Sequence, residues 1–365
     1  MTIFSDETDA NLQTDLSFFQ VYDQGTQTML KSVTMATQTL TGEYAKVLFT
    51  SPAVIAPSFN NGVLSYSVLK ETPTDFKYFC GLSIEQFNAV INLLGRENCS
   101  SLKYGNIGTK KSPKKKLTTK LSIEDKLMMT LIRIRRGFTE SEIAYFYKTT
   151  QASVSRIIST WIQFLYLEFK RYSRIMFDCK SRRNIPRCYK PFKNLKVIID
   201  CTEIFIETPG DFRQQGNTYS SYKSHNTVKF LVGINVFGGI AFISEGFEGS
   251  ISDEEIVIKS GILDYLSPDD LVMADRGFEI ADVLNSRNIK LMIPPFLNGR
   301  DKFTALEELQ TKAIARSTIH VERTIGRIKN YRMFQYPVKI NLLPMITQMF
   351  YIACFLVNFE KPFVS

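Results

Sequence analysis

Histidine is almost missing from this chain: among 365 residues only His225 and His320 occur. Ser-His-Asp chemistry and His-rich metal sites are therefore thinly supported. Cysteine is sparse as well. Cys80, Cys99, Cys179, Cys188, Cys201 and Cys354 form no CxxC pair and no framework spacing. That excludes a disulfide scaffold and a Cys-based zinc module, and it fits a reducing compartment. No GxGxxG or GxxxxGK[ST] loop is present, which argues against kinases, NTPases and dinucleotide enzymes. Long apolar runs are nearly absent. The one near-membrane stretch, 340–359, contains Asn341, Pro344, Gln348 and Asn358, so it reads as a packed C-terminal helix and no membrane partner is expected. The opening MTIFSDETDA has neither a basic n-region nor an apolar h-region, and does not read as a secretory signal.

What the chain does have is an uneven positive charge. The formal net charge is +9, yet residues 1–100 carry 5 basic and 10 acidic side chains, 101–200 carry 23 and 7, and 201–365 carry 17 and 19. One hundred residues hold the whole positive excess, which points to a polyanion partner. With hydrophobic residues at 44%, the chain can build cores, and its length predicts two or three domains.

Residues 1–70 are rich in Thr, Ser and Gln without sustained periodicity and read as a disordered N-terminal region. Within them, Thr26-Gln27-Thr28 and Thr37-Gln38-Thr39 resemble the anchors that dynein light chains take up by strand addition. Chance repetition in a polar segment explains the same pair. A helical region follows over 71–170. Ser83 and Gln86 form a capping box ahead of the stripe Phe87, Val90, Ile91, Leu94. The run KKSPKKK at 110–116, with Lys114, Lys115 and Lys116, reads as a linker that also suits nuclear localisation or phosphate contact.

Residues 121–170 predict three helices. Ser122 caps the first, which Gly137 stops, and Thr139 caps a short second with Glu142 at its third position. After the turn Lys148-Thr149-Thr150, the third runs from about Gln151 to Phe169. A short helix, a tight turn and a helix opening in Gln, Ser and Arg is the helix-turn-helix pattern. Gln151, Ser153, Ser155 and Arg156 would then face a DNA groove, with Val154, Ile157, Ile158 and Trp161 packed inward. Residues 171–194 read as a basic linker.

From Leu195, strands and helices alternate, which implies a layered α/β or α+β domain. Asp200 directly follows the apolar run VIID and Asp275 follows LVMAD, placing both at the C-terminal edge of a sheet. If their strands are neighbours, two carboxylates converge, and rigidly held anionic oxygens suit a hard cation such as Mg²⁺. A lone Asp at a strand end usually caps a turn, but two in the same context favour a site. Glu322 lies in IHVERTIGRIKN with Arg323, Arg327 and Lys329. That helix fits a metal ligand beside phosphate-gripping cations, and equally a surface helix of i,i+4 ion pairs. Two strand carboxylates and one helix carboxylate would define a two-metal phosphoryl-transfer site, with ions roughly 3.5–4 Å apart.

The ordered motifs DCTEIFIETP, YSSYKSHNTVKFLVGINVFGGIAFISEGFEGSISDEEI, VMADRGF and HVERTIGRIKNYR resemble the DDE-superfamily endonucleases of PIF/Harbinger-like transposases. The likeness covers about 195–365 and extends upstream through the helix-turn-helix. It implies an RNase H-like nuclease domain, a mixed sheet flanked by helices, preceded by a small all-α helix-turn-helix domain. It implies catalytic, metal-binding Asp200, Asp275 and Glu322, two Mg²⁺ ions (or Mn²⁺), DNA as partner, a homodimer on paired DNA ends, and a nuclear location. Arg323 and Arg327 join the DNA-binding set. Glu203, His225 and Asp253 are expected to support the triad, Glu207 to face solvent, and His320 to lie on a different helix face from Glu322. Relatives often carry an N-terminal zinc module, for which this chain has no Cys or His spacing. Two functions remain open: an active transposase that hydrolyses phosphodiesters, and a domesticated DNA-binding protein that keeps the fold without cleavage.

Overall fold

The computed structural model describes residues 62–104, 121–178, 185–297 and 299–361. The predicted disorder of the first 61 residues, the TQT pair and Lys114–Lys116 lie outside them. Residues 62–70, read as disordered from their composition, are ordered: Leu64 and Leu69 are buried, and Tyr66 N donates to Asp125 at 2.8 Å.

The helical region comprises α1 (Tyr66–Leu69), α2 (Pro73–Cys80), α3 (Ile84–Leu94), α4 (Arg96–Ser101), α5 (Ile123–Arg136), α6 (Glu140–Phe146) and α7 (Gln151–Lys170). Local chemistry fixes their ends. Capping boxes form at Ser83–Gln86, Ser122–Asp125 and Thr139–Glu142. Gly137 ends α5 at φ 68°, a left-handed conformation that glycine adopts without penalty. The inward face of α7, with Val154, Ile157, Ile158, Trp161, Ile162, Leu165 and Phe169, is buried against its neighbours.

Short α8 (Ser173–Asp178) leads toward β1 (Leu195–Phe205). The stretch expected as a plain basic linker contributes to packing here: Phe177 and Tyr189 are buried. Then come α9 (Phe212–Thr218), β2 (Tyr219–Ser220), β3 (His225–Ile234), β4 (Ile240–Ile243), β5 (Phe247–Glu248) and α10 (Asp253–Lys259). β6 (Leu271–Met273), α11 (Ala281–Asn285), β7 (Lys290–Met292), the long α12 (Ala305–Lys329) and α13 (Leu343–Val357) complete the chain.

One mixed sheet runs through β2, β3, β1, β6 and β7, with β4 and β5 also paired to β3. β3 is antiparallel to β1, while β6 and β7 continue the sheet in parallel. This curled mixed sheet, flanked by helices, is the RNase H-like fold. Alternation along β1 sends Val197 and Ile199 into the core under α10 and α11, and Ile198 and Ile204 into the larger core with α12 and α13. That larger core also includes the inward face of α7. Phe355 of α13 stacks on Phe169 of α7 with centroids 3.9 Å apart, and Phe350 stacks on Phe230 of β3 at 4.0 Å. The apolar C-terminal run is thus a packed helix joining the helix-turn-helix region to the sheet.

Candidate active site

β1 does not stop at Asp200, as its apolar run suggested. It continues to Phe205, because Asp200 pairs with Val232 and Glu203 with Lys229 along β3. β6 is the strand that ends here. Its last residue, Met273, lies opposite Ile198 in a parallel register. Two residues farther along each chain come Asp200 and Asp275, so adjacent strands deliver both carboxylates to the same level of the sheet.

The third carboxylate arrives on α12. This helix is continuous through Ser317, whose Oγ donates to Ala313 O at 3.0 Å. Its buried face carries Ile314, His320, Val321, Thr324, Ile325 and Ile328, and Thr324 Oγ1 donates to Gly238 O at 3.1 Å. With that face clamped on the sheet, exposed Glu322 stands at the rim of a cleft of about 830 Å³, which Asp200, Asp253 and Asp275 also line. The predicted triad is therefore brought to one cleft.

The cleft is electrostatically crowded. Burial pushes the Asp200 carboxyl up to about 6, and the negative charges of Glu322, Asp253 and Asp275 push the same way, against one backbone hydrogen bond from Cys201. Asp253 sits in the first turn of α10 and pairs with Lys229 Nζ at 2.6 Å. A Cβ built on Gly277, two residues past Asp275, would stand 3.8 Å from Asp253 Oδ2, so Asp253 faces the Asp275 loop. Glu203 is buried and accepts a hydrogen bond from Thr227 Oγ1 at 2.7 Å. Lys223 and Lys329 line the same cleft. Burial and the Lys223 charge both lower the proton affinity of Lys329, while Asp200 and Glu203 raise it.

This donor set fits a hard divalent cation. Three acidic side chains, one within β1, one just past β6 and one on α12, surround one cleft, and their mutual repulsion is of the kind that a cation relieves. Among the described residues no three His, Cys, Asp or Glu side chains stand close enough to share an ion as they are. Closing on one therefore requires movement of side chains, and exposed rotamers such as that of Glu322 interconvert on the ps–ns scale.

The other predicted residues divide. Gln151 is exposed at the start of α7 and donates to Glu140 Oε2 at 3.0 Å. Ser155 and Arg156 are half-buried, with Arg156 Nε donating to Ala152 O at 3.0 Å. Ser153 does not face a groove: it is buried, and its Oγ meets the capping Thr150 Oγ1 at 2.9 Å. Arg323 is exposed beside Glu322, but Arg327 turns away to pair with Glu360 at 3.1 Å. His225 is exposed outside the cleft lining, its Nδ1 3.0 Å from Lys223 O and its ring edge-on to Phe205. His320 is buried against Tyr189, on a different face from Glu322. Glu207 is exposed and accepts from Ile340 N at 3.2 Å.

Lys329 stands in the cleft as one of the phosphate-gripping cations read on the Glu322 helix, whereas Lys223 and Lys229 were not singled out by motif. A single Lys inside the apolar strand run VKFLVGI is a sign of a buried partner, and Lys329 lies two helical turns after Glu322, on the same face.

A search among curated proteins found no match to the chain. Family models do match. Residues 199–358 match the DDE superfamily endonuclease, spanning the cleft and all three carboxylates, and residues 119–171 match the helix-turn-helix of DDE superfamily endonuclease, spanning α5 to α7. These two domains imply DNA as the partner. The chain thus carries a DDE superfamily endonuclease domain with the helix-turn-helix of that superfamily ahead of it.

Proposed function

We propose that the chain is a metal-dependent DNA endonuclease of the transposase type, with Asp200, Asp275 and Glu322 as ligands of two divalent ions, Mg²⁺ or Mn²⁺. The observation that carries this reading is the meeting of the three carboxylates in one cleft, one within β1, one just past the end of its parallel neighbour β6 and one on the helix packed across them. Asp200, Asp275 and Glu322 would hold the ions, which would supply Lewis-acid activation of a water or 3′-hydroxyl and charge neutralisation at the leaving oxygen.

The chain's own residues do the rest. β1 holds Asp200 on strand backbone, while Asp275 lies two residues past the end of β6. Lys229 fixes Asp253 and the first turn of α10, forming the cleft wall next to the Asp275 loop. Lys223 and Lys329 place positive charge where a scissile phosphate would lie between them and the acids. Gln151, Ser155 and Arg156, at the amino end of α7, would make groove contacts once their present intramolecular bonds are exchanged. Lys114–Lys116 would add phosphate contacts and nuclear entry, and a second copy would hold the other DNA end.

The test is nicking of supercoiled plasmid in Mn²⁺ by wild type, Asp200→Ala and Glu322→Ala. Cleavage by wild type alone supports the reading, and equal cleavage by either variant removes that residue. The second reading, a DNA-binding protein without cleavage, is favoured by the open spacing of the carboxylates. It predicts salt-sensitive DNA binding with no nicking by any of the three.

A further inference from the structure

Between β1 and β3 the chain makes an excursion over residues 206–224 that displays three large rings to solvent. Phe212 is 88% exposed, Tyr222 83% and Tyr219 46%. Exposing so much aromatic surface in one short segment needs a reason. The segment is not a loose loop. Ile206 bridges to Val338, and Asp211 caps α9 by accepting from Gln214 N at 2.9 Å. Buried Asn226 donates to Gln215 O at 2.8 Å and to Thr218 Oγ1 at 2.9 Å, and Ser250 N donates to Asn217 O at 3.2 Å. Gly249 permits that approach: a Cβ there would meet Thr218 O at 2.5 Å and Thr227 Oγ1 at 2.2 Å. The rings are held out by a pinned frame.

The charges among the rings are selective too. The two acids of the excursion are spent on backbone groups, Asp211 on the α9 cap and Glu207 on Ile340 N. Its cations point elsewhere: Arg213 is exposed next to Phe212, and Lys223 Nζ lies 4.2 Å from the Tyr222 ring centroid. Residues Ser220 to Lys223 also line the candidate nuclease cleft. Aromatic faces interleaved with cations suit a strand of nucleic acid whose bases are unpaired, because only unstacked bases offer free π-faces while their phosphates seek positive charge.

We infer that this excursion is a docking platform for single-stranded DNA, on which Phe212 and Tyr222 stack unpaired bases and Arg213 and Lys223 take the phosphates beside the cleft. The inference rests on the nuclease reading for the identity of the strand, which would be the frayed strand at the cleavage point. It divides labour within the molecule: the helix-turn-helix holds duplex, and the platform holds the opened strand.

The experiment is fluorescence anisotropy in EDTA with the full chain, using fluorescein-labelled oligothymidine and a labelled mixed-sequence duplex as probes. The proteins are wild type, the Phe212→Ala/Tyr222→Ala double variant and Tyr222→Phe, each checked for an unchanged melting temperature. Base–aromatic stacking is worth enough that the double variant should lose about tenfold or more in single-strand affinity. Duplex affinity should change less than about twofold, the spread of measurement against that tenfold stacking loss, and Tyr222→Phe should bind the single strand like wild type. No oligothymidine binding by wild type, equal single-strand binding by wild type and double variant, or parallel losses on both probes would overturn the platform. Because no metal or cleavage enters, the nuclease reading can fail in the plasmid assay while the platform stands, and the reverse.

Discussion

Asp200 carries the clearest conflict between stability and function. Its folded-state proton affinity is raised, from 3.8 to about 6, so the folded protein holds that proton more tightly than the unfolded chain does. The sign follows from linkage: ionising Asp200 costs the fold, so stability falls as pH rises from about 4 through about 6 and stays lower above. Asp200→Asn should therefore stabilise the metal-free protein at neutral pH by about 1–3 kcal/mol, with the gain vanishing below about pH 4. Melting curves in EDTA across pH read this directly, and a variant less stable than wild type at neutral pH would contradict it. Lys229 makes the opposite prediction. Its side chain is 11% exposed and its partner Asp253 30% exposed, so Lys229→Met leaves a half-buried carboxylate uncompensated. It should cost up to ~3 kcal/mol, whereas Lys229→Arg should restore part of the loss. An unchanged denaturant midpoint for Lys229→Met would show that the pair contributes nothing.

At the scale of elements, what could be read beforehand followed the range of the interaction. Ser83, Ser122 and Thr139 announce helix starts because a cap and its partner lie three residues apart. The end of β1 was not legible, because Cys201, Thr202 and Glu203 look like turn residues until β3 is laid beside them. Ser153 was assigned to the DNA face by position along α7, but the local bond to Thr150 draws it inward. Arg327 and Lys229 depend on Glu360 and Asp253, partners too distant in sequence to be seen. That Asp200, Asp275 and Glu322 share one cleft was legible because each sits in its own ordered motif, although their open spacing was not. The C-terminal helix offers a test of how the elements cooperate. Phe355→Ala removes the ring stacked on Phe169 and should cost ~3–5 kcal/mol. Since α13 packs on both α7 and the sheet, helical and sheet signals should still melt together. Two separated transitions would mean that the regions fold independently.

The whole molecule is organised by charge. The net excess of 23 basic over 7 acidic side chains in residues 101–200 lies in and around the helix-turn-helix, while the cleft is acidic. Duplex affinity should thus fall steeply with salt. Lys114→Glu with Lys115→Glu should lower the slope of log affinity against log salt by roughly 2, without changing metal-dependent nicking at low salt. An unchanged slope would remove that run from the DNA contacts. On the proposed function, duplex recognition and chemistry would rest on different parts of one packed unit.

The most direct measurement compares wild type with Asp275→Ala, scoring Mn²⁺-dependent plasmid nicking and duplex affinity on the same preparations. Asp275 is exposed beyond the end of β6, so its loss should leave the fold intact. The account predicts that nicking disappears while affinity stays within about twofold, since phosphate contacts elsewhere dominate binding. Nicking by Asp275→Ala at the wild-type rate would contradict the carboxylate site at its centre.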